Sequence, residues 1–120
     1  RGEEASGYHF LVASDAQGVT GFASYGESPL GKDAYDLYWI AVSPRAQGQG
    51  LGKKLLLAVE EEVRDLRGRM ILIETSSLPA YQAARASYIS AGFPLWERIP
   101  DYYAAGDDRL TFGKNLTGAA

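Results

Sequence analysis

The chain has 120 residues, a formal net charge of −3 and no cysteine. This length suits one domain with a single core, which we expect to span residues 1–120, and the slight negative charge argues against broad binding to nucleic acid or an anionic membrane. The lack of cysteine excludes disulfides, thiolate metal sites and a cysteine nucleophile, and with His9 as the only histidine we expect no metal site and a cytoplasmic protein.

The first part of the chain is predicted to form three strands. Aromatic and β-branched residues indicate strands at residues 7–14 and 19–25, with a hairpin turn between them. A loop over residues 27–33 leads to a third strand at residues 35–42. Apolar residues occupy both alternating faces of this third strand, which predicts a central strand covered on both sides.

Two helices with a strand between them follow. The first helix carries an apolar stripe at helical spacing and has Gly68 as a plausible stop. The stripe consists of Leu51, Leu55, Val59, Val63 and Leu66. A strand at residues 69–75 comes next, and then a second helix with apolar positions three or four residues apart, ended by Gly92.

The last part of the chain is predicted to form two strands, roughly at residues 94–99 and 109–114, with a loop over residues 100–108. The whole order is then β-β-β-α-β-α-β-β. One strand–helix–strand unit among strands joined by tight turns predicts an α+β fold with a mixed sheet and helices packed on it.

The start of the first helix has an unusual composition. Gly48, Gly50 and Gly52 precede Lys53 and Lys54. A glycine costs roughly 1 kcal/mol relative to alanine inside a helix, and lysine is unfavourable near the positive end of the helix dipole. Both costs are explained if an anion binds there, because glycines let it approach the backbone N–H groups and lysines supply opposite charge. The segment therefore predicts an anion site.

Two common phosphate motifs fit this segment poorly. A P-loop needs G-x-x-x-x-G-K-[ST], but Gln47 occupies its first glycine position and Lys54 its Ser/Thr position. A dinucleotide fingerprint needs G-x-G-x-x-G directly after a strand, whereas here the spacing is G-x-G-x-G and five residues separate it from Val42. Because Glu74 ends the next strand, where a ribose-binding acid would lie, a dinucleotide-binding module stays as an alternative.

The segment resembles the signature of the GNAT superfamily of acyl-CoA-dependent N-acetyltransferases, Q/R-x-x-G-x-G/A after a strand ending in V-x-P. Residues 45–50 and 47–52 both fit, and the second register lies at the family's usual distance from Val42-Ser43-Pro44. A second family motif, N-x-x-A-x-x-x-Y-x-x-x-G-F, matches Tyr81, Ala84, Tyr88, Gly92 and Phe93. The resemblance implies a mostly antiparallel sheet with a splayed central strand pair and flanking helices.

The chain departs from the family pattern in two places. Tyr81 stands where many members carry asparagine. Members usually have an earlier strand and two helices that wall the acceptor pocket, and these N-terminal elements are missing from the sequence. We therefore expect either a trimmed chain or a pocket that is built differently.

The resemblance implies acetyl-CoA as co-substrate and requires no metal. Ile40, Ala41 and Val42 would pair with the pantetheine arm, and backbone amides between Gly48 and Lys53 would hold the pyrophosphate. The implied cofactor-binding residues are Ile40, Ala41, Val42, Gln47, Gly48, Gln49, Gly50, Leu51, Gly52, Lys53 and Tyr81.

The resemblance also implies catalytic roles. Tyr88 resembles the tyrosine that protonates the leaving thiolate, although its helical spacing also suits core packing. Glu74 and Asp36 both resemble family base positions, and we rank Glu74 first; either carboxylate could instead have a structural or solvent-exposed role. Tyr102 and Tyr103 fall in the late loop that often shapes the acceptor site.

The remaining candidates are given no chemistry. Asp101, Asp107 and Asp108 could favour a cationic amine, but such a run is more often a solvated turn. His9 is expected to pack or hydrogen-bond on its strand.

The sequence thus predicts an N-acetyltransferase that moves an acetyl group from acetyl-CoA to a primary amine by direct attack in a ternary complex. The acceptor is a small molecule or a peptide, with no nucleic acid and no membrane as partner. A catalytically silent acyl-CoA-binding regulatory domain is the other alternative. The oligomeric state is left open, a homodimer included.

Overall fold

The computed structural model describes residues 8–29 and 31–116, so the predicted start of the first strand at Gly7 lies outside them. The strands are β1 (Tyr8–Asp15), β2 (Gly18–Glu27), β3 (Ala34–Val42), β4 (Met70–Ser76), β5 (Leu95–Ala104) and β6 (Asp107–Asn115). The helices are α1 (Leu51–Asp65) and α2 (Gln82–Ser90), each preceded by a short 3-10 turn, Pro44–Ala46 and Pro79–Tyr81. The observed order of strands and helices confirms the predicted order β-β-β-α-β-α-β-β.

The six strands of the described residues form one sheet in the order β1-β2-β3-β4-β6-β5. β3 and β4 run parallel, and the other neighbouring strands pair antiparallel. The mixed, mostly antiparallel sheet is therefore confirmed. The crossover from β3 to β4 runs through α1, as a parallel pair requires.

The central strands β3 and β4 separate partway along their length. Their pairing runs from Ala34↔Met70 to Leu37↔Ile73 and goes no further. On the other side of β3, Tyr25 pairs with Leu37 and Ser24 with Trp39, so Tyr38 is an extra, bulged residue. Because a bulge bends its strand, the structure has a physical cause for the splay at the point where β3 leaves β4.

Both helices pack on one face of the sheet and share a single core with it. The fully buried core side chains are Tyr25, Leu56, Val59, Val63, Ile71, Ile73 and Phe93. On β3, Tyr35 and Leu37 join this core, but Trp39 on the other face is 69% exposed. The prediction that β3 is covered on both faces is therefore wrong for the described chain, because no described helix lies over the second face.

The apolar stripe of α1 differs from the predicted one at its end. Leu66 lies beyond the helix and is 46% exposed. Leu56, absent from the predicted stripe, is fully buried. The helix ends because Arg67 turns the chain with a φ of 66°, one residue before the predicted stop at Gly68.

The predicted loop over residues 100–108 is instead part of a hairpin, because β5 continues to Ala104 and β6 begins at Asp107. The carboxylate of Asp108 accepts the backbone N–H of Asp101 at 2.9 Å and the guanidinium of Arg98 at 2.6 Å. These donors hold the pKa of Asp108 below its usual value. The prediction of a solvated turn is therefore wrong for Asp108, which is buried, whereas Asp101 is exposed as expected.

His9 behaves as expected, since its ring stacks on Tyr25 with centroids 4.9 Å apart. Among the described residues, no helix is both long and apolar enough to span a membrane. The same part of the chain holds no cluster of three or more His, Asp and Glu side chains able to bind a metal ion.

Candidate active site

A groove of about 540 Å³ lies where the end of β3 meets the start of α1 and one side of α2. It is lined by Ile40, Val42, Ala46, Gln47, Gly48, Gly50, Leu51, Gly52, Ala80, Ala83, Ala84, Ser87 and Tyr88. Ala41, Gln49, Lys53 and Tyr81 had been expected here and are not among the lining residues. The small residues of α2 were not predicted, although their helical spacing could have indicated a face open to a ligand.

The start of α1 shows why glycines are needed at this groove. Gly48 has a φ of 80° and Gly50, the N-cap residue, a φ of 77°, which side chains other than glycine rarely adopt. The first N–H groups of a helix have no acceptor within it, and the first turn of α1 carries no acidic residue. With Lys53 and Lys54 exposed beside them, these amides form a suitable site for an anion.

The loop before α1 is held by two side chains that point to different parts of the fold. Gln47 donates from Nε2 to the carbonyl oxygen of Val42 at 3.2 Å, which ties the motif to the end of β3. Arg45 pairs with Asp15 of the first hairpin at 2.9 Å and holds the pKa of that carboxyl below its usual value. This geometry supports the register in which Gln47, rather than Arg45, leads the motif.

A second, open valley of about 610 Å³ lies on the opposite face of the sheet, across β3, β4 and β6. It is lined by Ser28, Gly31, Ala34, Asp36, Leu37, Tyr38, Arg69, Met70, Leu72, Glu74, Arg109 and Thr111. The structure thus brings the two predicted base candidates, Asp36 and Glu74, into one valley. The splay between β3 and β4 begins at the same level of the sheet, between the valley and the groove.

Glu74 is already engaged on both carboxylate oxygens. Tyr103 donates its hydroxyl to Oε2 at 2.6 Å, and Arg109 approaches Oε1 at 3.3 Å. Burial and the bond to Glu74 raise the pKa of Tyr103 to about 12, so its hydroxyl stays a donor. Arg109 also lies over the ring of Tyr102 at 5.1 Å. Arg109 was missed from the sequence because only the pairing of β6 with β4 brings it to Glu74.

Asp36 has a different environment. No hydrogen bond to its carboxylate exists among the described residues. Partial burial raises its pKa, and the negative charge of Glu74 raises it further. A carboxylate that is unpaired and less acidic than usual is better suited to accept a proton than one held by two donors.

Tyr88 lies on the helix side of the sheet and lines the groove. It is 6% exposed and packs edge-on against Phe112 with ring centroids 5.5 Å apart. Burial raises its pKa, and the positive charge of Arg85 partly opposes that rise. The core-packing role and a role at the groove are therefore both compatible with its position.

Known proteins share both the sequence and the fold of this chain. Residues 6–94 match the family model described as an acetyltransferase (GNAT) domain. A solved structure from Desulfovibrio desulfuricans, assigned to the GNAT acetyltransferases, is 40% identical and superposes with a TM-score of 0.88 over 92% of this chain and 70% of its own. YncA from Salmonella typhimurium, solved with acetyl-CoA, is 26% identical with a TM-score of 0.83 over 99% of this chain and 70% of its own.

Curated relatives are longer than this chain. L-amino acid N-acyltransferase MnaT of Escherichia coli is 33% identical over 97 residues, which cover 79% of this chain and 55% of MnaT. Mycothiol acetyltransferase of Acidothermus cellulolyticus is 31% identical over 104 residues, which cover 80% of this chain and 28% of that protein. The chain thus spans about half of one relative and little more than a quarter of the other.

Proposed function

This chain belongs to the GNAT acetyltransferase family, and from that premise we propose that it transfers an acetyl group from acetyl-CoA to a primary amine by direct attack in a ternary complex. The observation that carries the proposal is the groove at the splay. There, the free amides at the start of α1 lie next to the part of β3 that has no partner on its β4 side. Neither a silent acyl-CoA-binding domain nor a dinucleotide module is favoured.

In the proposed complex the pyrophosphate of acetyl-CoA contacts the amides from Gly48 to Lys53. This assignment is supported by the two glycines of positive φ, Gly48 and Gly50, because a Cβ built on either one has no neighbouring atom within 4 Å and the space beside the backbone is therefore open. The pantetheine arm lies along Ile40, Ala41 and Val42, because this edge of β3 leaves backbone groups unpaired toward β4. The thioester then reaches the gap between the two strands from the helix side.

The acceptor amine approaches from the valley on the other face. An amine with the pKa of lysine, about 10.4, is neutral in only about one molecule in 2,500 at pH 7. We assign the proton acceptor to Asp36, directly or through water, in preference to Glu74. The neutral nitrogen attacks the thioester carbon, the C–S bond breaks, and Tyr88 donates its proton to the leaving thiolate. The nitrogen then releases its extra proton to solvent as the amide forms, and Tyr88 regains a proton from solvent.

The acceptor is proposed to be a small-molecule or peptide primary amine. Glu74 is paired with Arg109, but the carboxylate of Asp36, which has no hydrogen bond among the described residues, gives the valley a negative charge that would attract a protonated amine. A cytoplasmic location and a homodimer stay expectations from the sequence.

The proposal is tested by calorimetric titration with acetyl-CoA, followed by assay of free CoA release with a panel of primary amines. The chain offers a matched pair of variants. Gly50→Glu places a carboxylate at the proposed anion site, and Gly106→Glu places one at a hairpin glycine of similar φ, 80°. We expect acetyl-CoA to bind the wild type and Gly106→Glu but not Gly50→Glu. Absence of binding by the wild type would refute the cofactor assignment, and binding without CoA release for any amine would favour the silent domain.

A further inference from the structure

Arg85 joins α2 to the end of β4. It is half-buried, and its Nη1 donates to the carbonyl oxygen of Ser76 at 2.7 Å and to that of Leu78 at 2.9 Å. Ser76 is the last residue of β4, two positions after Glu74, and Leu78 immediately precedes the 3-10 turn before α2. One side chain thus fixes the connection between the two elements that carry Glu74 and Tyr88.

The separation of β3 from β4 explains why the connection between β4 and α2 needs a side-chain donor. β3 pairs with β4 only as far as Ile73, so the rest of β4 has no strand on that side. Backbone carbonyls in such a position must find another donor or remain exposed to water. Arg85 supplies this donor to the carbonyl oxygen of Ser76. No further strand has to pair with β4 there, so the gap between β3 and β4 stays open.

Arg85 also lies on the same side of α2 as Tyr88, because residues three apart on a helix are neighbours. Its positive charge lowers the pKa of Tyr88, against the larger effect of burial. The charged groups on the other elements around α2 have partners of their own. Lys114 of β6 pairs with Glu60 of α1 at 2.7 Å, and Glu74 of β4 accepts hydrogen bonds on its valley side.

We propose that Arg85 is a positioning residue for the transfer reaction: it holds the β4–α2 connection so that Tyr88 faces the open gap, and it keeps a positive charge on that side of the helix. The inference rests on the proposed function, in which Tyr88 protonates the thiolate of CoA. Arg85 itself touches neither the acetyl group nor the amine.

The test compares Arg85→Met with Arg85→Lys in steady-state kinetics across pH. Arg85→Met is expected to lower kcat by about tenfold, as misplacement of an acid does, with less than about a twofold change in KM for acetyl-CoA. The alkaline limb of the kcat profile should move to higher pH, because Tyr88 loses the charge that lowers its pKa. Arg85→Lys keeps the charge and should restore the position of that limb.

Arg64→Met is the matched control. Arg64 of α1 also donates to a backbone carbonyl, that of Leu116 at 2.9 Å, and pairs with Glu60 at 3.0 Å, but it lines neither the groove nor the valley. Its loss should leave the pH profile unchanged. An Arg85→Met enzyme with wild-type kcat, or an equal shift of the limb in Arg64→Met, overturns the proposal.

Tyr88→Phe separates this inference from the function on which it rests. If Tyr88 is the acid, this variant lowers kcat by about tenfold or more, and adding Arg85→Met to it causes no further shift of the alkaline limb. A normal kcat in Tyr88→Phe removes the acid role, and the positioning role with it. A low kcat in Tyr88→Phe beside an unchanged limb in Arg85→Met overturns only the role of Arg85.

Discussion

Asp36 and Glu74 line the same valley, but each carboxylate has different partners. Glu74 is hydrogen-bonded by Tyr103 and paired with Arg109, whereas Asp36 has no hydrogen bond among the described residues. The sequence places Glu74 first because it ends a strand near the splay. The geometry favours Asp36, because its carboxylate oxygens are not already bonded to donors among the described residues.

This reversal leads to a prediction about pH. Asp36→Asn should lower kcat by about a hundredfold or more at every pH, the usual cost of losing a general base. Glu74→Gln should keep most of the activity and move the acidic limb of the profile to lower pH, because the charge of Glu74 raises the pKa of Asp36. The measurement is kcat and kcat/KM for the amine from about pH 5 to 9, and the opposite ranking of the two variants would return the base role to Glu74.

At the scale of the element, two glycines at opposite ends of α1 have different roles. Gly52, near the start of the helix, lowers its stability, whereas Gly68, just after its end, is required by packing. A Cβ at Gly52 would meet Ser87 Oγ at an ordinary 3.6 Å, so alanine fits there. A Cβ at Gly68, just after the helix, would stand 2.3 Å from Val63 Cγ1 and 2.9 Å from the ring of Tyr35. Gly68 is therefore required by close approach to the sheet, while Arg67 provides the left-handed turn.

Alanine at the two positions should have opposite effects on the free energy of unfolding. Gly68→Ala should destabilise the protein by about 2–3 kcal/mol, as forced overpacking does. Gly52→Ala should be neutral or stabilising by up to about 1 kcal/mol, because alanine loses less backbone entropy in a helix. Urea unfolding of both variants measures the difference, and equal losses would contradict this account of Gly68.

At the scale of the whole molecule, one charge network holds both helices to the sheet. Glu60 of α1 is buried and accepts from Lys114 of β6 at 2.7 Å and from Arg64 at 3.0 Å. Lys114 also donates to the carbonyl oxygen of Ala91 after α2, at 3.2 Å, and lies over the ring of Phe93 at 5.3 Å. The network thus joins α1, β6 and the residue that follows α2.

Replacing Lys114 alone should lower the free energy of unfolding more than replacing Lys114 and Glu60 together. Lys114→Met leaves the buried carboxylate of Glu60 without its closest partner, which should destabilise the fold by about 2–3 kcal/mol. The double variant with Glu60→Gln removes the unpaired charge as well and should recover part of that loss. Urea unfolding of Lys114→Met, Glu60→Gln and the double variant provides the check, and additive losses would show that the pair is not coupled.

Local patterns in the chain were sufficient for the order of elements and for the part of the groove formed by the end of β3 and the start of α1. Helical spacing, turn residues and the glycines before Lys53 depend only on neighbours in sequence, and two of the three glycines predicted to meet an anion, Gly48 and Gly50, have left-handed φ. The limits of the hairpin formed by β5 and β6 were not predictable in this way. They depend on Asp108 bonding to Asp101 and Arg98 across the strands.

The sequence alone was enough to predict the strand and helix order and the mixed sheet, and it also predicts an anion site at the start of α1, because each prediction follows from residues close together in the chain. Only the tertiary structure distinguished the environment of Asp36 from that of Glu74. It alone also showed that Arg109 pairs with Glu74 and that Arg85 bonds to the end of β4. Those assignments depend on which strands are neighbours and on where β3 leaves β4. A carboxylate's strength as a base is set by partners that lie far away in sequence and meet only when the sheet has formed.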